Sequence, residues 1–174
     1  MKVILLMAMT VNGKIARTRN ELVKWTSTED KKQFRTVTKK AGALIMGKTT
    51  YDTIGKPLPE RLNIVLTRNL QKMRSIPGTL EFTNKPLREL LLDLERRGFA
   101  SVIVSGGSIV NAQFLREGLL DEIIITVAPK IFGKGVPLFA DEDYEQDLAL
   151  QGIKKINNNT ITLRYKITKK HGDS

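Results

Sequence analysis

The chain has 174 residues, enough for one domain with a full hydrophobic core. No apolar run approaches the ~18 residues of a membrane span, and the absence of cysteine excludes disulfides, thiolate nucleophiles and cysteine-held metals. Lysine and arginine number 29 against 18 acids, a net charge of +11 that suits an anionic ligand, yet the cations are dispersed and aromatics make up only 6%, so nucleic acid is not expected as the main partner.

Residues 3–9 (VILLMAM) predict a buried first strand. One lysine followed by a short apolar run also has the look of a secretory leader. No small-residue cleavage site precedes a polar start, however, and the strand is the better reading. Residues 11–24 read as a loop and 28–40 as a helix. On that helix Phe34, Val37 and Ala41 fall at i+4, i+7 and i+11 from Asp30, so the acid shares a face with the apolar stripe. An acid there is costly unless paired or used. Two readings stay open: a first-turn acid favoured by the helix dipole, or an acid with a chemical task. Ser27, Thr28 and Glu29 already supply capping chemistry.

Residues 43–46 predict a strand that turns through Gly47 into a short helix at 49–53. The loop IGKPLPER follows, stiffened by Pro57 and Pro59 and closed by Arg61, and then a strand at 63–67. A strand turning through glycine into a helix leaves N–H groups free for an anion. Lys48 and Arg68 stand at the C-terminal ends of two strands, where open α/β sheets bind ligands. A phosphate-bearing ligand is expected, although a generic αβ unit with a proline-bounded loop would use the same residues.

Residues 80–83 predict a weak strand. A helix at 86–97 has proline in its first turn and Gly98 beyond its end. A strand at 101–105 leads through Ser105-Gly106-Gly107-Ser108 into a helix at 108–117, stopped by Gly118. Paired glycines let a pyrophosphate approach the backbone; a plain tight turn would also use them. Residues 122–128 form a strand, and 148–156 and 160–168 alternate with period two about Asn157-Asn158-Asn159. The expected fold is α/β: a central, mostly parallel sheet, an antiparallel C-terminal hairpin and helices on both faces. No repeat or linker divides the chain, so one domain is expected over 1–170, with a polar tail at 171–174. The only histidine, His171, lies in that tail, so histidine acid–base chemistry is not expected. The composition fits a cytoplasmic protein.

MGKTTY followed by IGKPLPERLNIVLTR, over positions 46–68, resembles the central signature of dihydrofolate reductases, and the order of elements resembles their fold over nearly the whole chain. The resemblance implies NADPH as cofactor and dihydrofolate as substrate. It places Gly47, Lys48, Thr49, Thr50, Thr67, Arg68, Ser105, Gly106, Gly107 and Ser108 on the cofactor, with Lys48 and Arg68 on its 2′-phosphate. Ala8, Ile15 and Ala16, in the segment AMTVNGKIA, would line the nicotinamide, with Ala8 also touching substrate. The span 17–24 would be a mobile lid. W-x-x-x-x-D-x-x-x-F, over positions 25–34, is similar to the family's acid segment. By resemblance Asp30 is then the catalytic acid on the pterin, Thr126 its hydrogen-bonding partner, Phe34 a packing wall, and Arg61 the grip on the folate carboxylate. No metal is implied.

Some residues depart from that pattern. Ser108 and Ile109 replace a third glycine and an arginine, and Asn111 replaces a tyrosine. NGKIA, SGGS and DEIIITVAPKIFGKGVPLF resemble the reductase domain of riboflavin biosynthesis, which shares the fold and uses NADPH on a phosphoribosylamino-pyrimidine. That relative's H-x-L-R and D-N-P-x-L-x-x-R motifs are missing. GKGVPLF resembles segments near dimer contacts there, which implies a monomer or homodimer. The expected activity is NADPH-dependent reduction of 7,8-dihydrofolate to tetrahydrofolate by hydride transfer to pterin C6. The alternatives are reduction of 5-amino-6-(5-phosphoribosylamino)uracil or a related pterin, and a non-catalytic basic binding protein.

Overall fold

Every element expected from the sequence is present in the computed structural model, which describes residues 1–168, with ends shifted by at most one residue. The tail with His171 lies outside the described residues. The strands are β1 (Lys2–Thr10), β2 (Lys14–Ala16), β3 (Ala43–Gly47), β4 (Leu62–Leu66), β5 (Leu80–Thr83), β6 (Ser101–Val104), β7 (Glu122–Ala128), β8 (Val136–Pro137), β9 (Leu148–Asn157) and β10 (Thr160–Ile167). The helices are α1 (Thr28–Ala41), α2 (Lys48–Ile54), α3 (Leu87–Arg96) and α4 (Ser108–Arg116). Eight strands form one sheet in the order β5-β4-β3-β6-β1-β7-β10-β9, parallel except for β10, which runs antiparallel to both neighbours. The pair β2–β8 was not expected from the sequence; it is antiparallel and ties the loop after β1 to the segment after β7.

Strand composition follows from position. ALIMG of β3 lies between β4 and β6, and its first four residues are buried because parallel strands are covered on both faces. Alternate residues feed two cores. Phe34, Val37 and Ala41 of α1 and Tyr51 and Ile54 of α2 pack with Leu6, Leu44, Met46 and Ile103 on one face. Leu87, Leu90 and Leu94 of α3 and Val110 and Phe114 of α4 pack with Leu5, Ile45 and Val104 on the other. Capping defines α1: the Asp30 N–H donates to Ser27 Oγ at 3.2 Å, and Gly42 closes the helix at φ 76°, a left-handed value that suits glycine. Pro86, expected in the first turn of α3, is its N-cap.

The topology dictates where a ligand can bind. β1 and β3 are followed by α1 and α2 on one face, while β6, hydrogen-bonded between them, sends α4 to the other. Chains that diverge to opposite faces open a crevice at the strands' C-terminal ends.

The opposite end of the sheet carries a buried acid. Glu122, at the start of β7, has a side chain only 5% exposed and is ion-paired to Lys2 and Arg164; Arg164 Nη2 donates to Oε2 at 3.0 Å. Burial alone raises this carboxyl's pKa, but the hydrogen bonds from Arg164 and Lys2 outweigh it and hold it below the ordinary 4.5. A depressed folded pKa contributes stability that is present above the unfolded value and lost as pH falls through the folded one. Glu122→Gln is therefore expected to cost about 1–3 kcal/mol at neutral pH and to flatten the acid-side decline in stability. Unfolding midpoints recorded from neutral pH down into the acid range check this; an unchanged acid limb would show the pair to be neutral.

Candidate active site

A cleft of about 1510 Å³ runs along this crevice. Its floor is built where three strands end. Met7 and Ala8 come from β1, Gly47 from β3, and Ser105, Gly106 and Gly107 from the turn after β6. The Gly47 N–H donates to Gly106 O at 2.9 Å and the Ser105 N–H to Ile45 O at 2.9 Å, so the two turns lie side by side. The peptide Gly106–Gly107 is cis. Gly106 has φ 92°, a left-handed value strained for any residue with a Cβ, and a Cβ there would also crowd Met7 Cε at 3.1 Å. A Cβ on Gly107 would meet only Thr50 Oγ1, at 3.6 Å, leaving open space over the turn. Half-buried backbone at the starts of α2 and α4, lining the cleft, fits a pyrophosphate and makes the residues present compatible with a dinucleotide.

Lys48, Thr49, Thr50, Thr67 and Arg68 line the same end of the cleft. Lys48 is paired with Asp52, with Nζ 2.7 Å from Oδ2. Arg68 is exposed and has no ion pair among the described residues. Ile15 and Ala16 are buried on β2 and line the cleft with Ala8 and Ser108. The span 18–23, inside the expected lid, contributes Thr18, Arg19, Glu21, Leu22 and Val23.

Towards α1 the lining turns to Asp30, Phe34 and Arg61. The cleft has four acids. Glu21 is paired with Arg17, Glu60 with Lys39 and Glu142 with Arg116. Asp30, 9% exposed, has no ion pair and accepts no hydrogen bond at its carboxylate among the described residues. Serine capping occupies only its backbone N–H, so the side chain is left for another task. The indole Nε1 of Trp25, nearby in sequence, is also buried without a partner.

Two expected site residues are engaged within the fold. Thr126, 1% exposed on β7, is not among the cleft-lining residues and makes no hydrogen bond to Asp30; its hydroxyl lies 3.4 Å from Thr162 Oγ1, across the β7–β10 pair. Gln33 Nε2 donates to that same Thr162 hydroxyl at 3.1 Å. Arg61 lines the cleft, but its side chain is held by the protein. It is 7% exposed, its Nε donates to Pro59 O at 2.9 Å, and an Nη donates to Thr38 Oγ1. Burial pushes its pKa down from the usual value, against the pull of Glu60. The loop's shape is imposed by Asn63, fully buried, whose amide exchanges hydrogen bonds of 2.9 and 2.8 Å with the Leu58 backbone.

Sequence reasoning missed a row of cations. Lys31, Arg35 and Lys39, spaced i, i+4, i+8 on α1, all line the cleft near Arg61. The spacing was visible, but their direction depends on which face of α1 packs. In all, nine lysines and arginines line the cleft against the four acids. Among the described residues no cluster of histidine, cysteine and carboxylate could hold a metal ion, and no helix is long and apolar enough to cross a membrane.

Comparison with known proteins adds four findings. The pattern of the RibD C-terminal domain matches residues 1–162. A putative dihydrofolate reductase of Caenorhabditis elegans is 32% identical over 151 residues, spanning 79% of this chain and 77% of that one. Among solved structures, a putative riboflavin biosynthesis protein from Shewanella sp. PV-4 superposes with a TM-score of 0.79 at 23% identity, over 97% of this chain and 100% of that one. A diaminohydroxyphosphoribosylaminopyrimidine deaminase/5-amino-6-(5-phosphoribosylamino)uracil reductase from Thermotoga maritima superposes at 0.80 and 20% identity, over 96% and 56%. These last two likenesses establish the fold.

Proposed function

The chain belongs to the RibD C-terminal domain family, and from this premise we propose that it is an NADPH-dependent reductase of 5-amino-6-(5-phosphoribosylamino)uracil or a close pyrimidine relative. The observation that carries the reading is Asp30, among the described residues the one cleft acid without an ion pair, in a cleft that is also lined by a buried arginine, Arg61, with no ion pair among those residues. Acid and cation at one end of a cleft, with open glycine backbone at the other, suit a heterocycle with an anionic tail facing a dinucleotide. Bound there, NADPH supplies a hydride. The Gly106 and Gly107 backbone and Thr50 hold the pyrophosphate, Lys48 and Arg68 the 2′-phosphate, and Ala8, Ile15 and Ala16 keep water from the reacting faces. Asp30 accepts hydrogen bonds from the pyrimidine's amino and ring N–H edge and moves a proton towards the nitrogen at which charge develops. Reduction of the ring-opened ribosylamine adds hydride to the C=N carbon and a proton to its nitrogen.

Arg61, Lys31 and Arg35 favour a phosphate tail. Arg61 spends two donors on neutral acceptors and has no ion pair among the described residues, and two exposed cations on α1 lie within the same cleft. A dianion answers several cations better than one carboxylate does. The second reading, dihydrofolate, rests on the KPLPER loop and on the nematode relative. NADPH consumption with each substrate decides between them. Turnover of the phosphoribosylamino-uracil and indifference to dihydrofolate is expected; the reverse result establishes the folate reading.

The cofactor end is tested separately. Replacing Lys48 and Arg68 together by Ala is expected to raise KM for NADPH about 10- to 100-fold and leave NADH nearly unchanged, because charge-assisted contacts to phosphate are worth roughly 1.5–3 kcal/mol. Steady-state kinetics with both cofactors check this; equal losses would mean general damage.

A further inference from the structure

The span 18–24 overlies the cleft, yet it has no regular structure of its own. Its two ends meet on one side chain. Arg17, just before it, places Cζ 4.3 Å from the ring centroid of Phe132. Trp25, just after it, packs edge-on against the same ring, with centroids 5.4 Å apart at 84°. Phe132 is 8% exposed and comes from the segment between β7 and β8, more than a hundred residues away. Its backbone is fixed from both sides by Asn12, whose Nδ2 donates to Phe132 O at 2.7 Å and whose Oδ1 accepts from the Phe132 N–H at 3.2 Å. The two segments also meet at Gly135, where a Cβ would stand 2.5 Å from Ala16 O. Phe132 is therefore rigidly presented, while the residues it touches bracket an irregular part of the cleft wall.

We propose that Phe132 is the positioning residue of the span 18–24: one ring clamps both ends and seats Leu22 and Val23 over the cleft. Its bearing on catalysis rests on the reductase reading above; the clamp itself does not. Trp25 is the only tryptophan, so its fluorescence reads this contact directly. Arg17, Arg19 and Lys24 offer trypsin sites within or beside the span.

Phe132→Leu keeps an apolar side chain and removes the aromatic face, while Phe132→Tyr keeps the ring. Loss of an aromatic pair and a cation–π contact together is expected to speed tryptic cleavage in the span about tenfold. It should also red-shift Trp25 emission and raise its quenching by acrylamide, with Phe132→Tyr staying at wild-type values. Arg17→Met, at an exposed position where folding is not at stake, removes one end of the clamp together with the Glu21 ion pair and is expected to speed cleavage after Lys24 about threefold, whereas Glu21→Gln, which breaks the ion pair alone, should stay near wild type. In the reductase assay Phe132→Leu should raise substrate KM about tenfold, with kcat changing less and Phe132→Tyr matching wild type. Wild-type quenching and cleavage in Phe132→Leu, or a Phe132→Tyr protein that behaves like Phe132→Leu, overturns the clamp. If cleavage and fluorescence respond but the wild type reduces neither substrate, the clamp stands and the reductase reading fails.

Discussion

Asp30→Asn is expected to lower turnover by about 10²-fold or more while NADPH affinity and the unfolding midpoint stay near wild type, the scale of a positioned proton donor or acceptor. The substitution is nearly isosteric and leaves the Asp30 N–H on Ser27 Oγ, so α1 keeps its cap. No ion pair is broken, because the carboxylate has none among the described residues. The loss therefore measures chemistry and substrate orientation, not folding. Glu60→Gln is the control: that acid lines the same cleft but is tied to Lys39, so little change in turnover is expected. Near-normal turnover in Asp30→Asn would remove Asp30 from the reaction and leave a stripe acid whose role is structural.

The second large effect is expected at Arg61. Arg61→Leu should raise KM for the phosphorylated substrate about 10- to 100-fold, since a buried charge-assisted contact is worth roughly 1.5–3 kcal/mol. It also removes hydrogen bonds to Thr38 and Pro59, so some loss of stability accompanies it. Two further measurements separate the effects. A substrate analogue without the phosphate should be indifferent to the change. Thr38→Val, which removes one of the guanidinium's neutral partners but keeps its charge, should lower stability more than it alters KM. If the phosphate-free analogue suffers equally from Arg61→Leu, the arginine only holds the loop 57–61 against α1.

The contrast between Asp30 and Arg61 shows how far local pattern reaches. Asp30 was legible because helical spacing is short-range: three apolar neighbours within eleven residues place it on the packed face whatever the rest of the chain does. The glycine turns at Gly47 and Ser105–Ser108 were legible for a similar reason, since a strand, a glycine and a helix start occupy adjacent positions. The Arg61 side chain was not, because its choice between solvent and Thr38 depends on how the loop lies on α1. Thr126 was read through resemblance to a family contact, but across the β7–β10 pair its nearest polar neighbour is Thr162. The same limit applied to the family reading. The positions 46–68 weigh towards dihydrofolate reductase, whereas agreement over residues 1–162 places the chain with the RibD C-terminal domain.

What the sequence by itself determined is the set of elements and their order, because propensity, caps and periodicity act within a turn or two of helix or a few residues of strand. Tertiary structure alone decided the rest. β2 and β8 have three and two residues, too few for any period, and exist only because segments more than a hundred residues apart meet. Lys31, Arg35 and Lys39 become a row facing the cleft because α1 packs Phe34 and Val37, both partly buried, against the sheet. Arg17 and Trp25 converge on Phe132 for the same kind of reason. Contacts between distant segments depend on how whole faces pack, and that information is spread over the fold, not held in any one stretch of chain.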